Sequence, residues 1–153
     1  MERTRSRMDG QPGHEARTSL VRLVLALVIV ELTAVTAYLH FSLGGQLFTL
    51  NGLGYLALGA AYAVAVLLPI PLIQRFAWLP QIGLAVYTLV TVVAYLVMGP
   101  YFSTGWIAKG IEVAIVALLV AEIVSAYRTP RGLWRAAIGS LSLIMSREGR
   151  RHA

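Results

Sequence analysis

The chain has 153 residues, of which 58% are hydrophobic and only 13% are charged, and its net charge is +6. Soluble domains average about 25% charged residues, so this composition argues against a soluble globular protein. The absence of cysteine excludes disulfides, thiolate nucleophiles and cysteine-ligated metals.

Residues 1–18 mix arginine, glutamate, glycine, proline and serine with almost no apolar residue, which predicts a disordered basic N-terminal tail. No Asp, Glu, Lys or Arg occurs between Glu31 and Arg75, or between Arg75 and Lys109. A helix needs about 20 apolar residues to cross a bilayer. The pattern therefore predicts an all-α integral membrane domain at 19–128, with four spans at 20–39, 51–73, 81–98 and 106–127.

Turn-forming residues separate these four segments. Gly44 and Gly45 follow the first segment, and Gly99-Pro100 ends the third, because proline cannot continue a helical hydrogen-bond ladder. Pro69 and Pro71, near the end of the second segment, and Pro80, just before the third, mark the second loop. The prediction is a four-helix bundle made of two sequential transmembrane hairpins.

The cations predict the orientation of the bundle. Arginines precede the first span and follow the last, Arg75 lies in the middle loop, and Lys109 is the one cation predicted on the other side. Because Lys and Arg are retained in cytoplasmic loops, we expect both termini and the Arg75 loop to be inside. Arginine supplies every basic residue except Lys109, and Ala, Val, Leu and Gly are abundant, which indicates a GC-rich bacterial genome and hence a bacterial inner membrane.

The first segment has an alternative interpretation. Basic residues, an apolar stretch and a small-residue site at Val35-Thr36-Ala37 are also typical of a secretory signal. Glu31 interrupts the apolar stretch, however, and removal of this segment leaves an odd number of helices. We therefore expect a span.

The last part of the chain predicts an amphipathic helix at 130–147, followed by a basic tail at 148–153. Its apolar residues recur at spacings of one, three and four: Leu133, Trp134, Ala137, Ile138, Leu141, Ile144 and Met145. We expect this helix to lie in the inner membrane interface, with lipid contacts from Arg131, Trp134, Arg135 and Arg147. The alternative is a soluble helix packed on the inner end of the bundle.

Small residues predict the packing faces, since membrane helices associate where their backbones approach closely. Ala57, Ala61 and Ala65 repeat every four residues in the second span, which predicts a central helix with a broad small face. The third span is rich in Val and Leu and is expected to face lipid or another subunit.

Ionisable residues in a hydrocarbon layer are costly, so each one calls for a partner or a purpose. Glu31 lies near the middle of the first span, on the same face as Tyr38, and it is a candidate proton site. The alternative is a protonated acid that only joins two helices. Glu122, close to the inner end, is expected to reach the headgroups.

A second group of polar residues is predicted at the outer end. Lys109 and Glu112 are three residues apart on the fourth span, within reach of each other, and His40, Asn51 and Tyr55 are predicted nearby. Together they predict an outward-facing pocket. The alternative is the polar and aromatic belt that membrane proteins place at the interface.

Most enzyme classes lack the necessary residues. Asp9 is the single aspartate, and His40 is the single histidine outside the tails, so neither a Ser-His-Asp triad nor a three-ligand metal site can be assembled. A b-type haem held between two helices needs two axial ligands, and no cofactor or metal is predicted.

The sequence thus predicts a non-enzymatic accessory or organising subunit. Its expected partners are the bilayer, anionic lipid headgroups, and either another membrane protein or further copies of itself, with no nucleic acid. The alternative is a small proton-coupled transporter or channel, with Glu31 as the proton site and Lys109 and Glu112 as an outer gate.

Overall fold

The structure, a computed structural model, describes residues 12–127 and 129–149, with side chains for residues 20–127, 129 and 131–140. This part of the chain is entirely helical and contains no strand. Its helices are α1 (Pro12–Leu43), α2 (Gln46–Leu67), α3 (Pro71–Arg75), α4 (Trp78–Met98), α5 (Ser103–Tyr127) and α6 (Pro130–Gly149).

The helix ends follow the predicted turn residues. Gly44 and Gly45 adopt positive φ angles of 69° and 86°, which side chains with a Cβ rarely allow, and they reverse the chain between α1 and α2. α2 stops at Leu67, just before Pro69, and α3 begins at Pro71. The predicted second span, 51–73, is therefore wrong at its end, because the two prolines divide it into α2 and α3.

The four longest helices, which are α1, α2, α4 and α5, pack with antiparallel neighbours. α1 contacts α2 and α5, and α4 also contacts both of these helices. The Gly44 end of this arrangement comprises the α1–α2 turn and the α4–α5 connection at 99–102. The Arg75 end comprises the start of α1, the short helix α3 and the junction of α5 with α6. The fully buried apolar residues lie between these ends: Ala26, Ile29, Tyr55, Tyr62, Leu84, Ile115 and Leu119.

Polar side chains are buried inside this assembly, whereas leucine and valine cover its outside. Each of the four long helices exposes large apolar residues, for example Val97 at 72% on α4. The buried polar residues of these helices are Thr33, Thr36, His40, Gln81, Thr88, Lys109, Glu112 and Glu122. This distribution is the reverse of a water-soluble fold and fits a protein whose solvent is lipid.

Three helices are long and apolar enough to cross a membrane: Leu20–Leu43 within α1, Gln46–Leu67 and Trp78–Met98. These three contain the first and third predicted spans and residues 51–67 of the second. The fourth, 106–127, falls within α5, which carries Lys109, Glu112 and Glu122 and is not one of the three.

Two sequence expectations are wrong: one about where α1 begins, and one about which face of α2 packs. α1 begins at Pro12, so residues 12–18 are helical rather than part of a disordered tail; residues 1–11 lie outside the described residues. In α2, Ala57 and Ala61 are exposed, and the packing face is formed by Gly52, Tyr55, Gly59, Tyr62 and Ala65. Glycines, rather than the alanine repeat, allow the close approach of α1.

α6 packs on the Arg75 ends of α4 and α5. The Trp78 indole Nε1 donates a hydrogen bond to Ser140 Oγ (3.1 Å), and Ser140 is buried. On the other side of α6, Trp134 and Ile138 are exposed, as are Arg131 and Arg135. The predicted apolar stripe is therefore divided between a packed side and an exposed side, and the side chain of Arg147 lies outside the described residues.

Candidate functional site

A cluster of ionisable side chains lies inside the helix assembly near its Gly44 end. α5 contributes Lys109 and Glu112, which are 7% and 0% exposed, and α1 contributes His40 at 3%. Lys109 Nζ donates a hydrogen bond to Glu112 Oε2 at 2.5 Å. The predicted i, i+3 ion pair is thus present, and it is enclosed by protein rather than placed in an interfacial belt.

Hydroxyl groups connect Glu112 to two other helices. Thr91 Oγ1 on α4 lies 3.0 Å from Glu112 Oε2, and Tyr55 Oη on α2 lies 2.7 Å from Thr91 Oγ1. Thr91 Oγ1 also lies 2.8 Å from the Thr88 carbonyl oxygen, so its one proton is shared between that oxygen and Glu112 Oε2, while Tyr55 donates to Thr91. Lys109 also donates to the carbonyl oxygen of Thr91 (3.4 Å). Oε2 therefore has donors from α4 and α5.

The second oxygen of Glu112 differs from the first. Oε1 is buried and has no hydrogen-bond partner among the described residues, and His40 Nε2 lies 3.6 Å from it. His40 Nδ1 lies 2.8 Å from the Thr36 carbonyl oxygen, which can only accept, so Nδ1 carries a proton. In the neutral imidazole, Nε2 then has a lone pair facing a carboxylate oxygen. One additional proton placed between these two atoms relieves that repulsion.

A pocket of about 360 Å³ lies against this cluster. Its walls are mainly apolar, with Leu43, Leu47, Phe48, Val90 and Met98 among the residues that line it. Its polar wall includes His40, Lys109, Thr91, Asn51 and Tyr87. Glu112 lies behind these residues, so the pocket faces an ammonium group and an imidazole rather than the carboxylate.

Aromatic rings hold the polar wall in place. Tyr87 donates a hydrogen bond to Asn51 Oδ1 (2.6 Å), and its ring meets the edge of Tyr55 at 5.1 Å between centroids. The ring of His40 lies 5.4 Å from Tyr55. On the other side, Lys109 Nζ lies 5.5 Å from the ring centroid of Tyr95, within the range of a cation–π contact. The ammonium group is thereby positioned at the pocket wall.

The structure brings together five of the seven predicted site residues: His40, Asn51, Tyr55, Lys109 and Glu112. The other two, Glu31 and Tyr38, lie outside this cluster. Both are exposed on the outer side of α1, and Tyr38 is 70% exposed. Glu31 is therefore not part of the interior cluster, whose buried carboxyl group is Glu112, with His40 beside it.

Sequence reasoning missed Thr91, which was assigned to a lipid-facing span. α4 exposes valine and leucine, but its polar residues point inward at helical spacing: Gln81, Thr88, Thr91 and Tyr95. Such a polar stripe on an otherwise apolar helix was the signal available in the sequence.

A second polar cluster was also missed, near the Arg75 end. Tyr62 donates a hydrogen bond to Glu122 Oε2 (2.7 Å), and Tyr127 donates to Gln81 Oε1 (3.4 Å). Glu122 is 6% exposed and bonded to α2, so the expectation that it reaches the headgroups is wrong. The buried apolar side chains of Ile29, Leu84, Ile115 and Leu119 occupy the core between the two clusters.

No group of three metal-ligating side chains occurs among the described residues. No protein-family model matches the chain, and neither a curated protein nor a solved structure matches it. The functional argument therefore depends on the geometry of the interior cluster and its pocket.

Proposed function

We propose that the chain is a small inner-membrane carrier that binds the anion of a lipophilic weak acid in the Gly44-end pocket, together with a proton at His40 and Glu112. The observation that supports this function is the unpartnered Glu112 Oε1, which faces His40 Nε2 behind the wall of an apolar pocket. This proposal keeps the proton-coupled alternative predicted from the sequence and moves its proton site from Glu31 to the interior.

The charges of the cluster favour an anionic ligand. Lys109 has three N–H donors, and Glu112 and the Thr91 carbonyl use two of them. The third donor of Lys109 is available to a carboxylate or phenolate headgroup at the pocket wall, while the apolar walls suit the rest of the molecule. An anion is expensive to bury unless its charge is balanced, and a proton taken up between His40 and Glu112 provides that balance.

The topology that we propose is a four-helix bundle in a bacterial inner membrane, with both termini and Arg75 inside. α5 crosses the membrane as the fourth span because its charged residues are buried inside the assembly and need not meet lipid. Arg22, Arg75 and Arg131 lie at the Arg75 end, whereas Lys109 lies near the Gly44 end, which fits retention of arginine in the cytoplasm. The pocket then opens toward the outer side.

Three probes of equal chain length test the ligand class. Decanoate, decanol and decylamine, each below its micellar concentration, are added to the protein in an uncharged detergent. A ligand that binds only the folded state raises the Tm. At a hundredfold excess over Kd it adds roughly 3 kcal/mol to the free energy of unfolding. We expect decanoate to raise the Tm most and decylamine to have no effect. Equal shifts with all three probes contradict an anion site.

Variants locate the site and its proton. Ala94→Phe, which fills the pocket, should abolish the decanoate shift, and Lys109→Gln should remove the preference for decanoate over decanol. In weakly buffered solution with the dye pyranine, decanoate binding should raise the pH through proton uptake, and Glu112→Gln should abolish that signal. Glu31→Gln is the matched control and should retain it. Uptake that is unchanged in Glu112→Gln contradicts the proposed proton site.

The accessory or organising role predicted from the sequence is a second candidate, favoured by one observation. α6 exposes Trp134 and Ile138 beside Arg131 and Arg135 at the end assigned to the cytoplasm. This combination suits contact with anionic lipid headgroups or with another membrane protein. Neither proposed function is enzymatic. The absence of any Tm shift with the three probes favours this second role.

A further inference from the structure

The outer surface of α1 carries a carboxyl group at the middle of a membrane-spanning helix. Glu31 is exposed, and among the described residues it has no hydrogen bond or ion pair. It lies midway along Leu20–Leu43, about 17 Å from either end at 1.5 Å per residue. A lone carboxyl group at this depth is costly, so its position indicates a partner from outside the chain.

The residues around Glu31 form a continuous seam. The outer seam of α1 alternates steps of three and four residues, and all of its members are exposed: Leu20, Val24, Leu27, Glu31, Ala34, Tyr38 and Phe41. This is the 3.5-residue repeat by which helices pack in left-handed pairs, in water and in membranes. The inward face of α1 carries a separate set of buried residues, including Ala26, Thr33 and His40. Apart from Phe41, whose ring lies against Gly52 of α2, the outer seam is therefore not needed for packing within the chain.

We infer that the outer seam binds the same seam of a second copy of this chain. In a twofold dimer whose axis is perpendicular to the membrane, identical residues lie at the same depth and face each other. Glu31 then meets Glu31 of the second copy. A protonated carboxyl group has one O–H donor and one carbonyl acceptor, so two such groups satisfy each other through a pair of hydrogen bonds. Ala34, one turn further on, lets the backbones approach closely.

A second copy explains the seam better than a partner helix with a basic residue. Of the two cations in the membrane-spanning segments, Arg22 lies near the end of its span, far from the depth of Glu31, and Lys109 is buried and paired with Glu112. A protonated carboxyl group, by contrast, can pair with an identical carboxyl group. A single polar residue in an apolar seam also fixes the register of two helices. This inference is independent of the proposed carrier function.

The absence of cysteine makes a direct test possible. Ala34→Cys is introduced, and membranes are oxidised with copper phenanthroline. We expect a disulfide-linked dimer from Ala34→Cys. The matched control, Leu89→Cys, lies on an exposed part of α4 outside the seam and should crosslink at least fivefold less. Equal crosslinking at the two positions overturns the inference.

Substitutions at Glu31 identify the partner chemistry. In the Ala34→Cys background, Glu31→Gln should retain the crosslink, because two amides also pair as donor and acceptor, whereas Glu31→Val should reduce it at least fivefold. Loss of the crosslink in Glu31→Gln as well as in Glu31→Val points to a cationic partner and overturns the second-copy assignment. If Glu31→Val fails to insert, the comparison of Ala34→Cys with Leu89→Cys still decides the result.

Discussion

Glu112 receives contacts from three helices, and each contact uses a different kind of group. Lys109 reaches it from one turn earlier on α5, Thr91 from α4 and His40 from α1. Its burial is tolerable because Oε2 is fully satisfied, while Oε1 keeps a place for one more proton. A residue that only joined helices would be expected to have both oxygens bonded, so this asymmetry supports the proposed proton-binding role of Glu112.

Tyr55→Phe tests the hydroxyl chain that leads to Glu112. The substitution removes the 2.7 Å hydrogen bond between Tyr55 and Thr91 in a fully buried position. A net loss of about 1 kcal/mol is expected, which lowers the Tm by roughly 2–4 °C for a chain of this size. Thermal unfolding in detergent measures the change.

Tyr38→Phe is the control for the same chemical change. Its ring is 70% exposed on α1, and its hydroxyl has no partner among the described residues. The Tm should therefore change by less than about 1 °C. Equal effects of the two substitutions contradict the proposed role of the buried hydroxyl chain.

At the scale of the helices, close packing of α1 on α2 depends on glycine. A Cβ placed at Gly59 lies 2.8 Å from Thr33 Cγ2, and one placed at Gly52 lies 2.9 Å from the ring of Phe41. Thr33 cannot easily rotate away, because it is buried and its hydroxyl donates to the Ile29 carbonyl oxygen at 2.7 Å. The α1–α2 distance is therefore set by two glycines on one face of α2.

Gly59→Ala is expected to destabilise the protein by about 1–3 kcal/mol, the usual cost of overpacking a fixed neighbour. Gly110→Ala is the matched control, because a Cβ there has no neighbour within 4 Å. Alanine is the better helix former, so Gly110→Ala should leave stability unchanged or raise it by up to about 1 kcal/mol. Tm measurements on both variants compare the two effects, and a similar loss in both contradicts the packing argument.

The helix ends were predictable because they depend on local chemistry. Gly44, Gly45 and Pro69 act through their own backbone, so their positions in the sequence indicate where helices stop. The ion pair of Lys109 with Glu112 was predictable for the same reason, since a spacing of three residues brings them together on one helix.

The faces of the helices were harder to predict. The alanine repeat of α2 and the central position of Glu31 both suggested inward-facing residues, yet Ala57, Ala61 and Glu31 are exposed. Which side of a helix turns inward depends on its neighbours, and an apolar sequence surrounded by lipid carries little contrast between the two sides. Thr91 was missed for this reason, although the polar stripe of α4 indicated its direction.

At the scale of the whole molecule, the charge distribution divides the protein into two ends and an interior. Arginines occupy the Arg75 end, and the ionisable side chains of α5 point into the assembly. This arrangement favours the proposed four crossings on energetic grounds. If α5 lay outside the membrane, its neighbours α1 and α4 would have to leave the bilayer with it, because they share the cluster around Glu112.

Labelling of single cysteines with a membrane-impermeant maleimide tests the crossing of α5 and the orientation together. The natural chain lacks cysteine and provides the unlabelled control. Ser103→Cys and Gln46→Cys, exposed at the Gly44 end, should react in intact cells stripped of any outer barrier. Gln74→Cys and Arg135→Cys, exposed at the Arg75 end, should react only after permeabilisation, because arginine-rich ends are retained inside. Reaction of positions 103 and 135 from the same side means that α5 does not cross, whereas reversal of all four means that the orientation is inverted. Neither result is expected from the proposed topology of four crossings, which places positions 103 and 135 on opposite sides of the membrane.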